Sequence, residues 1–136
     1  MIQFLASLFA RLPLPIAHKL GVGLGWLVYW SSPTYRRRLR ENIIASGVAA
    51  DFRRLRQLIR ENVAESGKAM FELPFIWLRP SNDLLSKVAE KHGWSAVEAA
   101  RAEGKGLIML TPHLGSFEFI GRYLATQFPI TVLYRP

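Results

Sequence analysis

Residues 107–118 read Leu107-Ile108-Met109-Leu110-Thr111-Pro112-His113-Leu114-Gly115-Ser116-Phe117-Glu118. An apolar run ends at a proline. A histidine follows at once, and a glutamate five positions on. The run Leu107 to Leu110 fits a strand buried on both faces of a parallel sheet. Ser116 to Gln127 fits a helix. The C-terminal end of a strand opening into a helix N-terminus is where open α/β sheets place their ligands.

Spacing constrains how His113 and Glu118 can meet. Residues five apart on one continuous helix sit roughly 140° apart around the axis. The pair converges only if His113 lies in the turn before the helix and Glu118 in its first turns. Pro112 and Gly115 favour that turn. The carboxylate can then orient the imidazole and leave its other nitrogen free to accept a proton. The competing reading is a solvated loop histidine beside a glutamate that the helix dipole favours anyway. Ser116 invites comparison with a nucleophile elbow, but the second glycine of Gly-x-Ser-x-Gly is missing. A helix N-cap suits Ser116 better.

Composition narrows the chemistry. The chain has 136 residues, half of them hydrophobic, and no cysteine. It is at most one domain with enough apolar content for a core. A disulfide framework, a zinc–thiolate site and a cysteine nucleophile are excluded. The net charge of +8 is concentrated. Between Tyr35 and Arg60, eight arginines face only Glu41 and Asp51, a net of +6. Such a patch suits phosphate-bearing or acidic partners, although a charge run is most often a solvated helix face.

Met1 to Trp30 is apolar and has no acidic residue. Arg11 and Lys19 lie inside it, and no small-residue cleavage site follows, unlike a signal peptide. Its uninterrupted apolar stretch, Leu20 to Trp30, has 11 residues, against about 20 for a span. The expectation is two hydrophobic helices, Ile2 to Arg11 and Pro15 to Trp30, lying in or along a membrane. A tilted single span and a buried helical hairpin are the alternatives. Trp26, Tyr29 and Trp30 suit an interface, and Arg36 to Arg38 would sit on the cytoplasmic side. Gly21, Gly23 and Gly25 form a small-residue face able to approach another helix closely. His18 has no acidic neighbour in sequence and reads as a packed or interfacial residue.

Ser32-Pro33-Thr34 starts a helix that Gly47 ends. Asp51 caps the next helix, in which Phe52, Leu55, Ile59, Val63, Ser66, Met70 and Leu73 are spaced to face a core. Arg53, Arg56 and Arg60 fall on another face, and Ser66 and Gly67 allow a close helix contact near Met70-Phe71-Glu72. Pro74 should kink or end this helix. Ser81 to Trp94 is compatible with a helix or with a strand near Ser86 to Glu90. Ser95 should start a helix with Glu98 completing a capping box. The resulting order of strands and helices predicts an α/β fold in which hydrophobic and basic helices precede the start of a parallel sheet with flanking helices. A final strand is expected over Ile130 to Tyr134.

The segment Thr111 to Glu118 resembles the His-x4-Glu signature of the bacterial lipid A biosynthesis acyltransferases, the lauroyl and myristoyl transferases. Arg40-Glu41-Asn42-Ile43, the glycines Gly104 and Gly106, and Tyr134-Arg135-Pro136 fit as well. Related glycerolipid acyltransferases usually carry aspartate where Glu118 stands. The resemblance covers essentially the whole chain. It implies a glycerolipid-acyltransferase-like fold, with residues 1–32 as the membrane segment. Residues 33–136 would be the first part of an acyltransferase domain whose remainder lies downstream, so this stretch alone should be inactive. It implies His113 and Glu118 as catalytic residues and backbone groups at Gly115 and Ser116 as oxyanion donors. Arg53, Arg56, Arg60 and Arg135 would bind substrate. No cofactor and no metal are implied. The implied partners are an acyl carrier protein as donor, an anionic lipid A precursor as acceptor, and membrane lipids, with no nucleic acid. The implied location is the cytoplasmic face of the inner membrane. Two rivals remain open on the residues: an acyltransferase for another glycolipid or glycerolipid, and a basic nucleic-acid-binding module. The second explains the arginines but not Met1 to Trp30.

Overall fold

The computed structural model describes residues 2–112 and 114–133, with side chains from residue 6 onward. Local signals punctuate its first half. Helix α1 runs Ile2–Arg11 and α2 runs Leu14–Ser31, with Pro13 and Pro15 at the break between them. Ser32 caps α3, Pro33–Ala45, by accepting a hydrogen bond from the Tyr35 N–H at 3.3 Å. Asp51 caps α4, Phe52–Leu78, accepting from the Arg54 N–H at 2.7 Å. Pro74 does not end α4, which continues to Leu78. The short α5, Ser81–Leu85, is followed by α6, Trp94–Ala102, and α7, Phe117–Gln127. The chain divides into two compact units, Met1–Leu78 and Arg79–Pro136.

In the first unit, α2 and α4 pack at backbone distance. A Cβ added at Gly21 or Gly67 would collide with the other's backbone carbonyl, and one at Gly25 would lie 2.6 Å from the Val63 carbonyl oxygen. The contacting positions are four apart on both helices, so two i±4 ridges meet. Gly23, between them, faces open space and takes no part. Around this crossing, Leu39 and Ile43 of α3 bury with Leu55 and Val63 of α4, and Trp26, Tyr29 and Tyr35 pack against them. Phe9 meets Phe71 edge to face at 5.2 Å and fastens α1 to α4.

The crossing corrects the expected buried face of α4. Leu55 and Val63 are buried as expected, but Phe52 and Met70 are exposed, and Gly67, Phe75 and Ile76 are buried instead. The inward ridge steps by four through Leu55, Ile59, Val63, Gly67, Phe71 and Phe75. A hydrophobicity pattern skips Gly67, because glycine has no side chain to count. Its backbone is nonetheless the surface that α2 covers.

In the second unit, Leu84 is fully buried, and Tyr123 and Leu124 of α7 are buried with it. Trp94 packs edge-on to Tyr123 at 5.7 Å and stacks on Phe128 at 6.4 Å. The Arg122 guanidinium donates to the Arg79 carbonyl at 2.6 Å. Gly93 adopts φ +69° at the start of α6, and no side chain caps that helix. Ser95 and Glu98 therefore lie inside α6 and form no capping box.

The expected parallel sheet is absent. No strand occurs among the described residues, and the arrangement is all-helical. Ser86 and Lys87 close the end of α5 through N–H bonds to the Asn82 and Leu84 carbonyls, so no strand forms at Ser86 to Glu90. Leu107 to Leu110 forms no strand with any described segment. Leu107 and Met109 are about 40 % exposed, whereas Ile108 and Leu110 are 90 % and 92 % exposed. All four are exposed, unlike the residues of a strand buried on both faces. Residues 130–133 are likewise unpaired, and Tyr134 lies outside the described residues. A helix satisfies its backbone within its own segment, whereas a strand needs a second chain segment in register. Apolar runs specify the first requirement of a strand and not the second.

Glycine substitutions separate these contributions. Gly67→Ala must push α2 from α4 and should cost about 1–3 kcal/mol, as overpacking does. Gly23→Ala meets nothing and should gain up to about 1 kcal/mol from helix propensity. Urea unfolding followed by circular dichroism distinguishes them, and equal effects at the two positions would refute the crossing.

Candidate functional site

The start of α7 is built by three residues with different tasks. Gly115 takes φ +60°, a left-handed conformation that a residue with a Cβ adopts at a cost of about 1–2 kcal/mol. Ser116 follows at the N-cap position. Its carbonyl accepts from the N–H groups of Phe119 at 3.0 Å and Ile120 at 3.3 Å. Its hydroxyl makes no cap bond, so Ser116 holds the cap position through its backbone alone. Glu118 then lies in the first turn, half-buried, where the helix dipole stabilises a carboxylate. This is the place the spacing required of it. His113 and Arg135, the other predicted site residues on this side, lie outside the described residues.

The remaining predicted residues belong to the first unit. Arg53, Arg56 and Arg60 line one exposed face of α4 at three- and four-residue spacing. The Arg56 guanidinium lies 4.6 Å from the centre of the exposed Phe52 ring, a cation–π contact. None of the three pairs with a carboxylate among the described residues. The face can therefore meet an anionic partner without first breaking an ion pair.

One imidazole–carboxylate pair escaped the reading of the sequence. His18 Nε2 lies 2.8 Å from Glu72 Oε1, both side chains half-buried. The pair joins α2 to α4 across 54 residues. It follows from the glycine crossing. The helices are antiparallel, so Gly25 meets Val63, Gly21 meets Gly67, and one turn further His18 meets Glu72. The glycines were the available signal, since matching them fixes the register of every later pair.

Comparison with known proteins bears on the whole chain. Residues 1–136 match the family described as bacterial lipid A biosynthesis acyltransferase. The chain belongs to that family. The lipid A biosynthesis acyltransferase of Haemophilus influenzae is 30 % identical over 134 residues, 98 % of this chain. Two Escherichia coli K12 proteins, a lipid A biosynthesis lauroyltransferase and a palmitoleoyltransferase, are 22 % and 25 % identical over 95 % of it. The chain spans 42 % of the length of each of these relatives. No solved structure matches it.

In this member of the lipid A acyltransferase family, the His18–Glu72 pair reads as a polar clamp on the helix crossing. A double-mutant cycle with His18→Ala and Glu72→Ala should give a coupling of about 0.5–1 kcal/mol, the scale of a half-exposed pair. Additive losses in urea midpoints would show that the two side chains act separately.

Proposed function

We propose that the whole protein is a membrane-associated O-acyltransferase of lipid A biosynthesis. It moves a fatty acyl chain from an acyl-carrier-protein thioester to a hydroxyl of a lipid A precursor. The observation that supports this most directly is the family match over residues 1–136. Glu118 in the first turn of α7, within the His-x4-Glu segment, is consistent with it.

The proposed transfer needs one base and one thioester. His113 accepts the proton of the acceptor hydroxyl as that oxygen attacks the thioester carbonyl. The new C–O ester bond forms, the C–S bond breaks, and the proton passes to the leaving thiolate. Glu118 fixes the tautomer of the imidazole and stabilises its positive charge. Backbone N–H groups around Gly115 and Ser116, at a helix start, are the proposed oxyanion donors. Arg53, Arg56 and Arg60 would attract the acidic carrier or an anionic lipid over a range of about 10 Å at 0.1 M salt. Arg135 would join them in binding substrate.

The membrane contact we propose is the outer face of α2, at the cytoplasmic side of the inner membrane. Ile16, Leu20, Leu24 and Leu27 recur at helical spacing and are exposed. The exposed Trp30 stands at the end of the stripe. Among the described residues no helix is long and apolar enough to cross a membrane. An apolar stripe on one face suits a helix lying in the interface plane.

Two experiments on the full-length protein test this reading. His113→Ala should lower transfer by about two to four orders of magnitude while leaving the unfolding transition intact. Glu118→Gln should cost less, because an amide still holds the ring but cannot stabilise its charge. A folded, fully active His113→Ala protein would remove the mechanism. Separately, Leu20→Ser, Leu24→Ser and Leu27→Ser together should release the protein from sedimenting membranes. These positions leave the helix crossing untouched, whereas deleting Met1 to Trp30 would strip α4 of its partner. Persistence in the pellet would move the anchor elsewhere.

A further inference from the structure

Between α3 and α4 lies a groove of about 370 Å³, within the roughly 300–1,000 Å³ of small-ligand pockets. Its floor is apolar, made by Leu39 and Ile43, which also belong to the core beneath. Its walls are polar. Tyr35, Arg38 and Asn42 recur along one stripe of α3, Ser46 follows at its C-terminal cap, and Asn62 and Ser66 stand opposite on α4. No carboxylate lines it.

The hydrogen bonds already made fix what the walls still offer. Ser66 donates to Asn62 Oδ1 at 3.3 Å, which leaves the Asn62 amide N–H groups unengaged. Ser46 donates to the Ile43 carbonyl at 2.8 Å, so its oxygen can only accept. Arg37, the preceding residue, faces Glu41 at 3.9 Å. Arg38 has no carboxylate partner among the described residues. The groove thus presents a free guanidinium and amide donors, with a hydroxyl oxygen able to accept. A guanidinium matches phosphate oxygens in a bidentate fork. An accepting hydroxyl oxygen matches an alcohol O–H on the same ligand.

We propose that the α3–α4 groove binds the phosphate ester of a polyol, with Arg38 on the phosphate and Asn42, Asn62 and Ser46 on its oxygens and hydroxyls. The ligand chemistry is common to a soluble sugar or glycerol phosphate and to a phospholipid or glycolipid headgroup. The site lies wholly in the first unit and does not depend on the transfer chemistry proposed above.

The test uses the full chain, with glycerol 3-phosphate as soluble probe and phosphatidylcholine vesicles with or without phosphatidylglycerol as membrane probe. Side-chain amide signals of Asn42 and Asn62 report the groove by NMR. Arg38→Gln removes its charge, and Arg40→Gln removes the same charge from the same helix outside the groove. Arg38→Gln should weaken binding about tenfold or more, the worth of a hydrogen-bonded charge, and Arg40→Gln should change it little. Amide shifts with glycerol 3-phosphate would show that a free phosphate ester suffices. Shifts only with phosphatidylglycerol vesicles, lost in Arg38→Gln, would assign the site to a lipid headgroup. Subtracting phosphatidylcholine vesicles removes the contribution of the apolar α2 face. No amide shift with either probe, or equal loss in both variants, would overturn the proposal and leave the arginines as a diffuse positive surface.

Discussion

The backbone contact between Gly21, Gly25 and Gly67 is the constraint from which the first unit is built. Helices with side chains at the crossing pack at 8–10 Å, and these glycines remove that spacer. Dispersion between closely packed backbones falls steeply with separation, so the contact is short or it is lost. Once made, it leaves little freedom of register. It sets the antiparallel pairing of α2 with α4, brings His18 to Glu72, and turns Ile16, Leu20 and Leu24 outward. The apolar outer stripe is a consequence. Helix α2 is apolar around much of its circumference, and α4 covers only the glycine side.

That arrangement explains which parts of the fold were legible in the sequence. Ser32 and Asp51 act within three residues of themselves, so their helices begin where the sequence says they should. The buried face of α4 was legible at Leu55 and Val63 and misread at Phe52, Ser66 and Met70. Past Val63 the inward ridge runs through Gly67, whose contribution is the absence of a side chain. The sheet failed for a different reason. Ile108 and Leu110 have the composition of strand residues, but a strand is a relation between segments. Their exposure shows that no second segment of the described chain supplies that relation. Gly93 illustrates the same limit on a smaller scale. A glycine in a left-handed turn started α6 one residue before the Ser95 that sequence rules prefer.

The candidate sites divide along the same line. Glu118 could be placed at a helix start because Gly115 and Ser116 beside it dictate the turn. His18 and Glu72 went unpaired, since 54 residues separate them and only the match of the glycines brings their helices into register. The α3–α4 groove was hidden among the arginines. Counting charge groups Arg38 with Arg36, Arg37 and Arg40, although only Arg38 lines the groove.

The His18–Glu72 pair and the expected His113–Glu118 combination also show why residue type alone does not assign chemistry. His18 and Glu72 are held from both sides, each on a long helix whose position the glycine crossing fixes. An imidazole held that way is suited to stabilising the crossing. Moving it toward a reactant would mean separating two helices that touch at their backbones. Glu118 stands on a single helix, in its first turn, after a glycine-turned loop. A carboxylate there is placed by its helix and half-buried. General-base chemistry needs a rigid orienting group and an accessible proton acceptor. The role proposed for Glu118, at the start of α7, is the first of these.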